Sequence, residues 1–357
     1  MDDPIRKFLT LFGLLAAGLA GALLARAMGA PLPFLLGSLV VTASVSLTVH
    51  AQTGRKLWFP ELLRRGFVAI IGLMIGSSFS PELIDLLPGL WPSMLALVVF
   101  IVLAELVGYA VFRGIGRYDP VTAAYSAMPG GLIEAAILGE RAGGDVATVS
   151  LQHFIRIVLV VALVPMIFLV VTGDAVGSAA GEAMTEGAAR WQDWLLYAAL
   201  APVGLLLGQW LRVPAGQLVG PLLLSAVLNG TGLLALAGPA SLLNLAQLVV
   251  GCGLGVRFAR STLRQLLTGA GLGFVAVSLT LCISALFAWA LAQGSAMPFS
   301  ALLISFAPGG VTEMSLIALS LGVSPLLVTV HHLFRIVLTV TLAGMAANRA
   351  QSWLTRR

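Results

Sequence analysis

MPGGLIEAAILGERAGGDVATVSLQHFIRIVLVV, Met128 to Val161, aligns without a gap on APGGVTEMSLIALSLGVSPLLVTVHHLFRIVLTV, Ala307 to Val340, at a constant offset of 179 residues. The alignment pairs Pro129, Gly130, Gly131 and Glu134 with Pro308, Gly309, Gly310 and Glu313. Further on it pairs Gly143 with Gly322, His153 with His332 and Arg156 with Arg335. The same offset places Gly72 on Gly251, Gly76 on Gly255 and Phe79 on Phe258, and an offset four residues larger places Gly37 on Gly220. A fixed period over this length marks a duplicated unit. The halves are residues 1–171 and 191–357, joined by a polar linker over 172–190 that carries Asp174, Glu182 and Glu186.

Composition says where such a chain lives. Of 357 residues, 59% are hydrophobic and 10% charged, and the mean hydropathy is +1.01. A soluble domain needs about 25% charge to cover its surface, so a soluble enzyme, a DNA-binding regulator and a disordered scaffold are excluded for the chain as a whole. The net charge of +5 reflects basic residues in short loops, which orient membrane helices, and not a nucleic-acid surface. Cys252 and Cys282 sit singly in apolar stretches, without metal-ligand or disulfide spacing. Arg6 and Lys7 ahead of an apolar run resemble a signal peptide, but that run has a counterpart in the second half and is expected to stay.

Each half holds six apolar segments, near 9–28, 33–49, 64–79, 90–112, 121–139 and 148–171, then 194–210, 216–237, 242–258, 268–291, 300–321 and 325–346. The fifth of each half is broken by Pro-Gly-Gly. If it crosses, the repeats are parallel; if it is re-entrant, each half has five spans and the repeats are inverted. With a cytoplasmic N-terminus, inversion leaves sixteen Lys/Arg inside against two outside, whereas parallel repeats leave twelve against six. The expected fold is therefore an all-α polytopic membrane protein of two inverted repeats. It has about ten transmembrane helices and two re-entrant or broken segments, with both termini on the cytoplasmic side of a bacterial inner membrane.

The repeated block carries the chemistry. Pro129 and Pro308 remove an amide donor, and Gly130, Gly131, Gly309 and Gly310 admit φ values that other residues avoid. Paired helix breaks at membrane depth are where secondary transporters bind solutes. Glu134 and Glu313 are costly there unless they face a partner or a cavity. The spacing His-x-x-Arg sets His153 with Arg156, and His332 with Arg335, on one helix face. Arg would hold an anion while Glu or His carries a coupling proton; the bland alternative is a Glu–Arg pair or a self-capped turn that merely pins the segment. Glu105, whose counterpart is Ser284, is a candidate for coupling. With four histidines, and His331 beside His332 pointing about 100° away, no metal centre or cofactor is expected. Glycine pairs such as Gly72/Gly76, Gly204/Gly208, Gly251/Gly255 and Gly269/Gly273 suit close helix crossings inside the molecule.

At its duplicated PGG-x-x-E and H-x-x-R-I-V blocks the chain resembles the AbrB duplication family of bacterial membrane proteins, over essentially its whole length. Members are labelled AbrB-family regulators or ammonia monooxygenases. Those labels imply gene regulation or ammonia oxidation, and the sequence shows neither a helix-turn-helix-sized soluble segment nor a copper-binding cluster. The layout is also similar to inverted-repeat carriers of sodium, protons and organic anions, an architectural analogy. The leading expectation is a secondary transporter of a small, anionic solute, coupled to protons or sodium, without enzymatic activity or nucleic-acid partner, and with a homodimer suggested by analogy alone. The alternative is a membrane sensor that acts on gene expression through a partner and transports nothing.

Overall fold

A computed structural model describes residues 4–77, 87–172, 191–213, 215–234, 236, 238–257, 263–295 and 297–354. Phe79, Phe258 and almost all of the linker over 172–190 lie outside the described residues.

Fourteen α-helices follow one another with no strand among the described residues, seven in each half. The first half has α1 (Pro4–Ala27), α2 (Pro33–Thr53), α3 (Glu61–Ser77), α4 (Trp91–Ala110), α5 (Pro120–Ala127), α6 (Leu132–Arg141) and α7 (Val146–Thr172). The second has α8 (Trp191–Leu211), α9 (Gly216–Gly230), α10 (Ala240–Val256), α11 (Leu263–Ala292), α12 (Phe299–Phe306), α13 (Val311–Ser320) and α14 (Pro325–Leu354). The bounds of α5 and α6, and the start of α7, recur in α12, α13 and α14 at the offset of 179. Even backbone exceptions recur. Leu32 and Ala215 hold left-handed conformations at φ 44 and 52, and Gly143 and Gly322 at φ 86 and 63.

The chain is a polytopic membrane protein. Seven helices are long and apolar enough to cross a bilayer by length and composition: α1, α2, α4, α7, α8, α11 and α14. That is fewer than the ten expected, because α3, α9 and α10 have 17, 15 and 17 residues. In α3, Glu61, Arg64 and Arg65 occupy the first turns and shorten its apolar part. Large apolar side chains such as Phe8, Leu106, Trp210 and Leu286 face outward, as lipid contact requires.

The helices gather into two compact units, each drawing on both halves. One unit comprises Met1–Pro81, Ala162–Leu263 and Ser315–Leu326. It is held by glycine crossings that occur twice. Gly37 of α2 lies so close to α1 that a Cβ would overlap Gly21 O, and Gly220 of α9 stands likewise against Gly204 O of α8. Gly72 and Gly76 of α3 abut Leu218 O and Leu222 O of α9, while Gly251 and Gly255 of α10 abut Leu35 O and Leu39 O of α2. The order of these contacts shows that α10 runs alongside α2 in the same direction, and α9 alongside α3. Ser46 Oγ donates to Val256 O (3.2 Å) further along the same seam. At the charged end of α3, Glu61 pairs with Arg64, Arg65 and Arg257.

The other unit comprises Glu82–Val161, Arg264–Met314 and Leu327–Arg357, and so contains both Pro-Gly-Gly breaks and both His-x-x-Arg motifs. Its α11 crosses α7 where Gly269 and Gly273 admit Ile155 and Gln152.

Candidate functional site

Proline ends the half-helices α5 and α12. A residue before proline is pushed out of the α region, and Met128 and Ala307 accordingly turn to φ −46, ψ 118 and φ −55, ψ 140. After two glycines the chain re-enters a helix at Leu132 and at Val311. Contrary to the sequence expectation, none of these four glycines takes a positive φ. They are glycines because neighbours come close. A Cβ on Gly131 would overlap Glu134 Oε2, one on Gly310 would overlap Glu313 Oε2, and one on Gly309 would lie 2.6 Å from Met314 Sδ. Both glutamates therefore fold back over the start of their own helix, the place where an acidic side chain meets exposed backbone amides.

The His-x-x-Arg motif holds the other end of the break. Arg156 donates from Nη1 to Met128 O (2.7 Å) and from Nη2 to Gly130 O (2.9 Å). Arg335 does the same to Ala307 O and Gly309 O. His153 Nε2 bonds Tyr125 O (2.8 Å) and His332 Nε2 bonds Ile304 O (3.1 Å). A carbonyl only accepts, so both imidazoles carry their proton on Nε2. The spacing of three thus lets one helix face tie down the carbonyls at the C-terminal end of a half-helix, where positive charge is favourable. Each arginine keeps a buried Nε, and each histidine a buried Nδ1, with no protein partner.

The two breaks meet. Pro129 and Pro308 line one small cavity of about 30 Å³, together with Arg156, and Arg156 and Arg335 lie close enough to act on each other electrostatically. Glu105 is near enough to Arg156 to interact with it. Sequence reasoning missed three further polar residues on this cavity: Thr280, whose Oγ1 donates to Ala276 O (2.8 Å), and two more. Ser126 and Gln152 line it, both fully buried, and Ser126 Oγ and Gln152 Oε1 have no protein partner. Ser126 could have been found, because its repeat mate is Ser305. Gln152 gave no such signal, its mate being His331, whose Nε2 pairs with Ser93 Oγ (2.8 Å).

Of the two half-helices that precede the breaks, α5 alone begins on an acidic cap. Asp119 Oδ1 accepts from the amides of Val121 (3.0 Å) and Thr122 (2.9 Å), whereas Pro298 precedes α12. The Thr122 hydroxyl and amide hold the Asp119 carboxyl below the usual carboxylate range. Its contribution to stability is therefore present above the ordinary carboxylate pKa and lost as pH falls through the lowered one. Asp119→Ala is expected to lower the thermal midpoint slightly at pH 7 and to converge on wild type under acid, which a melting series from pH 7 to pH 3 reads.

A family model described as "Transition state regulatory protein AbrB" matches residues 45–351. The chain belongs to the AbrB family. It is 24% identical over 324 residues to the Escherichia coli (strain K12) protein named "Putative regulator AbrB", covering 89% of this chain and 90% of that one. It is also 24% identical over 355 residues to the Bacillus subtilis (strain 168) protein named "Uncharacterized protein YhjN", covering 92% and 90%. The AbrB-family match spans both Pro-Gly-Gly breaks and both His-x-x-Arg motifs.

Proposed function

We propose that this AbrB-family protein is a secondary transporter of a small anionic solute, working by alternating access around the two broken segments, in a bacterial inner membrane with both termini cytoplasmic. The observation that carries this reading is the convergence of the duplicated breaks: Pro129 and Pro308, 179 residues apart, line one cavity beside Arg156. Broken helices meeting between two repeats are the arrangement that solute carriers use. Opposite orientation of the halves is supported by helix direction. The connection over 54–60 is short, so α3 returns against α2, whereas its repeat mate α10 runs with α2. The Glu61–Arg257 pair (3.6 Å) likewise brings the start of α3 to the end of α10, which parallel repeats would set on opposite membrane faces.

Glu134 and Glu313 are assigned the coupling cation or proton, since each carboxylate lies one turn into a helix that starts at the break. The test is counterflow of labelled formate, acetate and chloride into proteoliposomes preloaded with the same unlabelled anion. Wild type is expected to give a transient overshoot with at least one of them. Glu134→Gln and Glu313→Gln are each expected to reduce it about tenfold, the equivalent of roughly 1.4 kcal/mol, with the elution profile unchanged. Full overshoot in both variants would remove the role given to the glutamates. A regulator, the role in the printed name of the Escherichia coli relative, would bind an anion and give no overshoot.

A further inference from the structure

The repeat offset exposes an asymmetry that bears on what is bound and where. Gly108 and Ala127 touch each other and line the cavity. At the offset of 179 their mates are Phe287 and Phe306. Those rings stack 5.8 Å apart and both pack edge-on against Phe100, at 5.9 and 5.4 Å, and Phe306 lies 6.3 Å from the His331 ring. The second half thus fills with aromatic rings the volume that glycine and alanine leave open in the first. Leu97, mate of the lining residue Ala276, is larger and fully buried.

The open side is chemically two-faced. Arg156, Ser126 and Gln152 stand on it with Nε, Oγ and Oε1 free of protein partners, so it offers a cationic donor, a hydroxyl and an acceptor. Ser305 Oγ and Arg335 Nε on the filled side are unpaired as well; burying such groups unpaired is costly, and on the open side a polar ligand relieves it. Apart from Thr280, whose hydroxyl donates to Ala276 O (2.8 Å), the rest of the wall is apolar, with Phe112, Ala276 and Val277. A volume of about 30 Å³ exceeds the roughly 10–15 Å³ that one water requires and suits a ligand of a few heavy atoms.

We infer that each chain carries a single anion site, on the first-half side of the paired breaks, and that its ligand is a short monocarboxylate. The carboxylate takes Arg156 Nε and Ser126 Oγ, and the alkyl end lies against Ala276 and Val277. The inference deepens the transport reading and rests on it for the solute's fate, but the site itself is a matter of binding.

The test uses full-length protein in lipid nanodiscs, with acetate as probe and chloride at equal ionic strength as reference. Saturable thermal stabilisation by acetate beyond chloride is expected. Ser126→Ala should weaken it roughly five- to tenfold, the scale of one hydrogen bond, while the symmetry mate Ser305→Ala leaves it unchanged. Ala127→Phe, which copies the ring its mate already accommodates, should abolish it and keep the melting transition cooperative. Equal loss in Ser126→Ala and Ser305→Ala, or no stabilisation beyond chloride, overturns the inference. Acetate counterflow in proteoliposomes separates the two claims. Saturable binding without counterflow refutes transport and keeps the site; counterflow that Ala127→Phe leaves intact refutes the site and keeps transport.

Discussion

Replacing Arg335 with methionine is expected to cost about 3–6 kcal/mol of stability, the loss of two hydrogen bonds from a charged donor at about 1.5–3 kcal/mol each. Arg335 is 2% exposed and gives one Nη each to Ala307 O and Gly309 O. Both carbonyls belong to the interrupted segment; Ala307 O also accepts from Gly309 N (2.8 Å), and the guanidinium adds a charged donor to each. Methionine approximates the aliphatic stem and isolates the lost hydrogen bonds from lost volume. The Arg156→Met variant should lose less, because Arg156 is partly exposed and its break borders the cavity. Thermal unfolding of the detergent-purified variants reads both, and Arg335→Met melting with the wild type would show that the break does not depend on the arginine.

The second large effect comes from adding a single methyl group. Gly37→Ala and Gly220→Ala each place a Cβ into backbone: Gly21 O and C and Ala22 Cα for the first, Gly204 O and Gly208 N for the second. Backbone within a packed helix cannot rotate away as a side chain does, so the helix pair must separate. Overpacking of this kind costs about 1–3 kcal/mol, and the repeat predicts a similar loss at both positions. Gly13→Ala is the control, since nothing lies within 4 Å of its Cβ position. Thermal midpoints of the three variants decide the matter. Equal midpoints for Gly13→Ala and Gly37→Ala would mean that the crossing is loose.

Much of this architecture was legible in the amino-acid sequence because duplication turns one weak motif into two. One Pro-Gly-Gly is a turn; two at a constant offset, each followed by Glu and then His-x-x-Arg, mark a helix break, and the structure has its breaks at Met128 and Ala307. What the spacing could not show was the target of each side chain. His153 and Arg156 share a face in any helix, but that they grip Tyr125 O, Met128 O and Gly130 O depends on how α7 packs beside α5. Glycine misled for a similar reason. At Gly131 and Gly310 the requirement is room for a returning carboxylate, a tertiary fact, and not an unusual φ. The cavity's one-sidedness lay in plain view in the pairs Gly108/Phe287 and Ala127/Phe306, yet it becomes readable only once packing shows that these positions share one volume. Helix lengths were the remaining difference. The apolar run near 216–237 looks long enough to cross, whereas α9 has 15 residues.

The claim on which the transport account depends most is that the halves face opposite ways. In a protein whose Cys252 and Cys282 are replaced by alanine, single cysteines at Lys56→Cys and Arg257→Cys can be probed with a membrane-impermeant thiol reagent, in intact cells and after lysis. Lys56 is exposed before α3, and Arg257 follows α10, the repeat mate of α3. Opposed halves predict that both cysteines are protected in intact cells and both labelled after lysis. Protection of Lys56→Cys with labelling of Arg257→Cys in intact cells would put the ends on opposite faces, and the alternating-access account would be wrong.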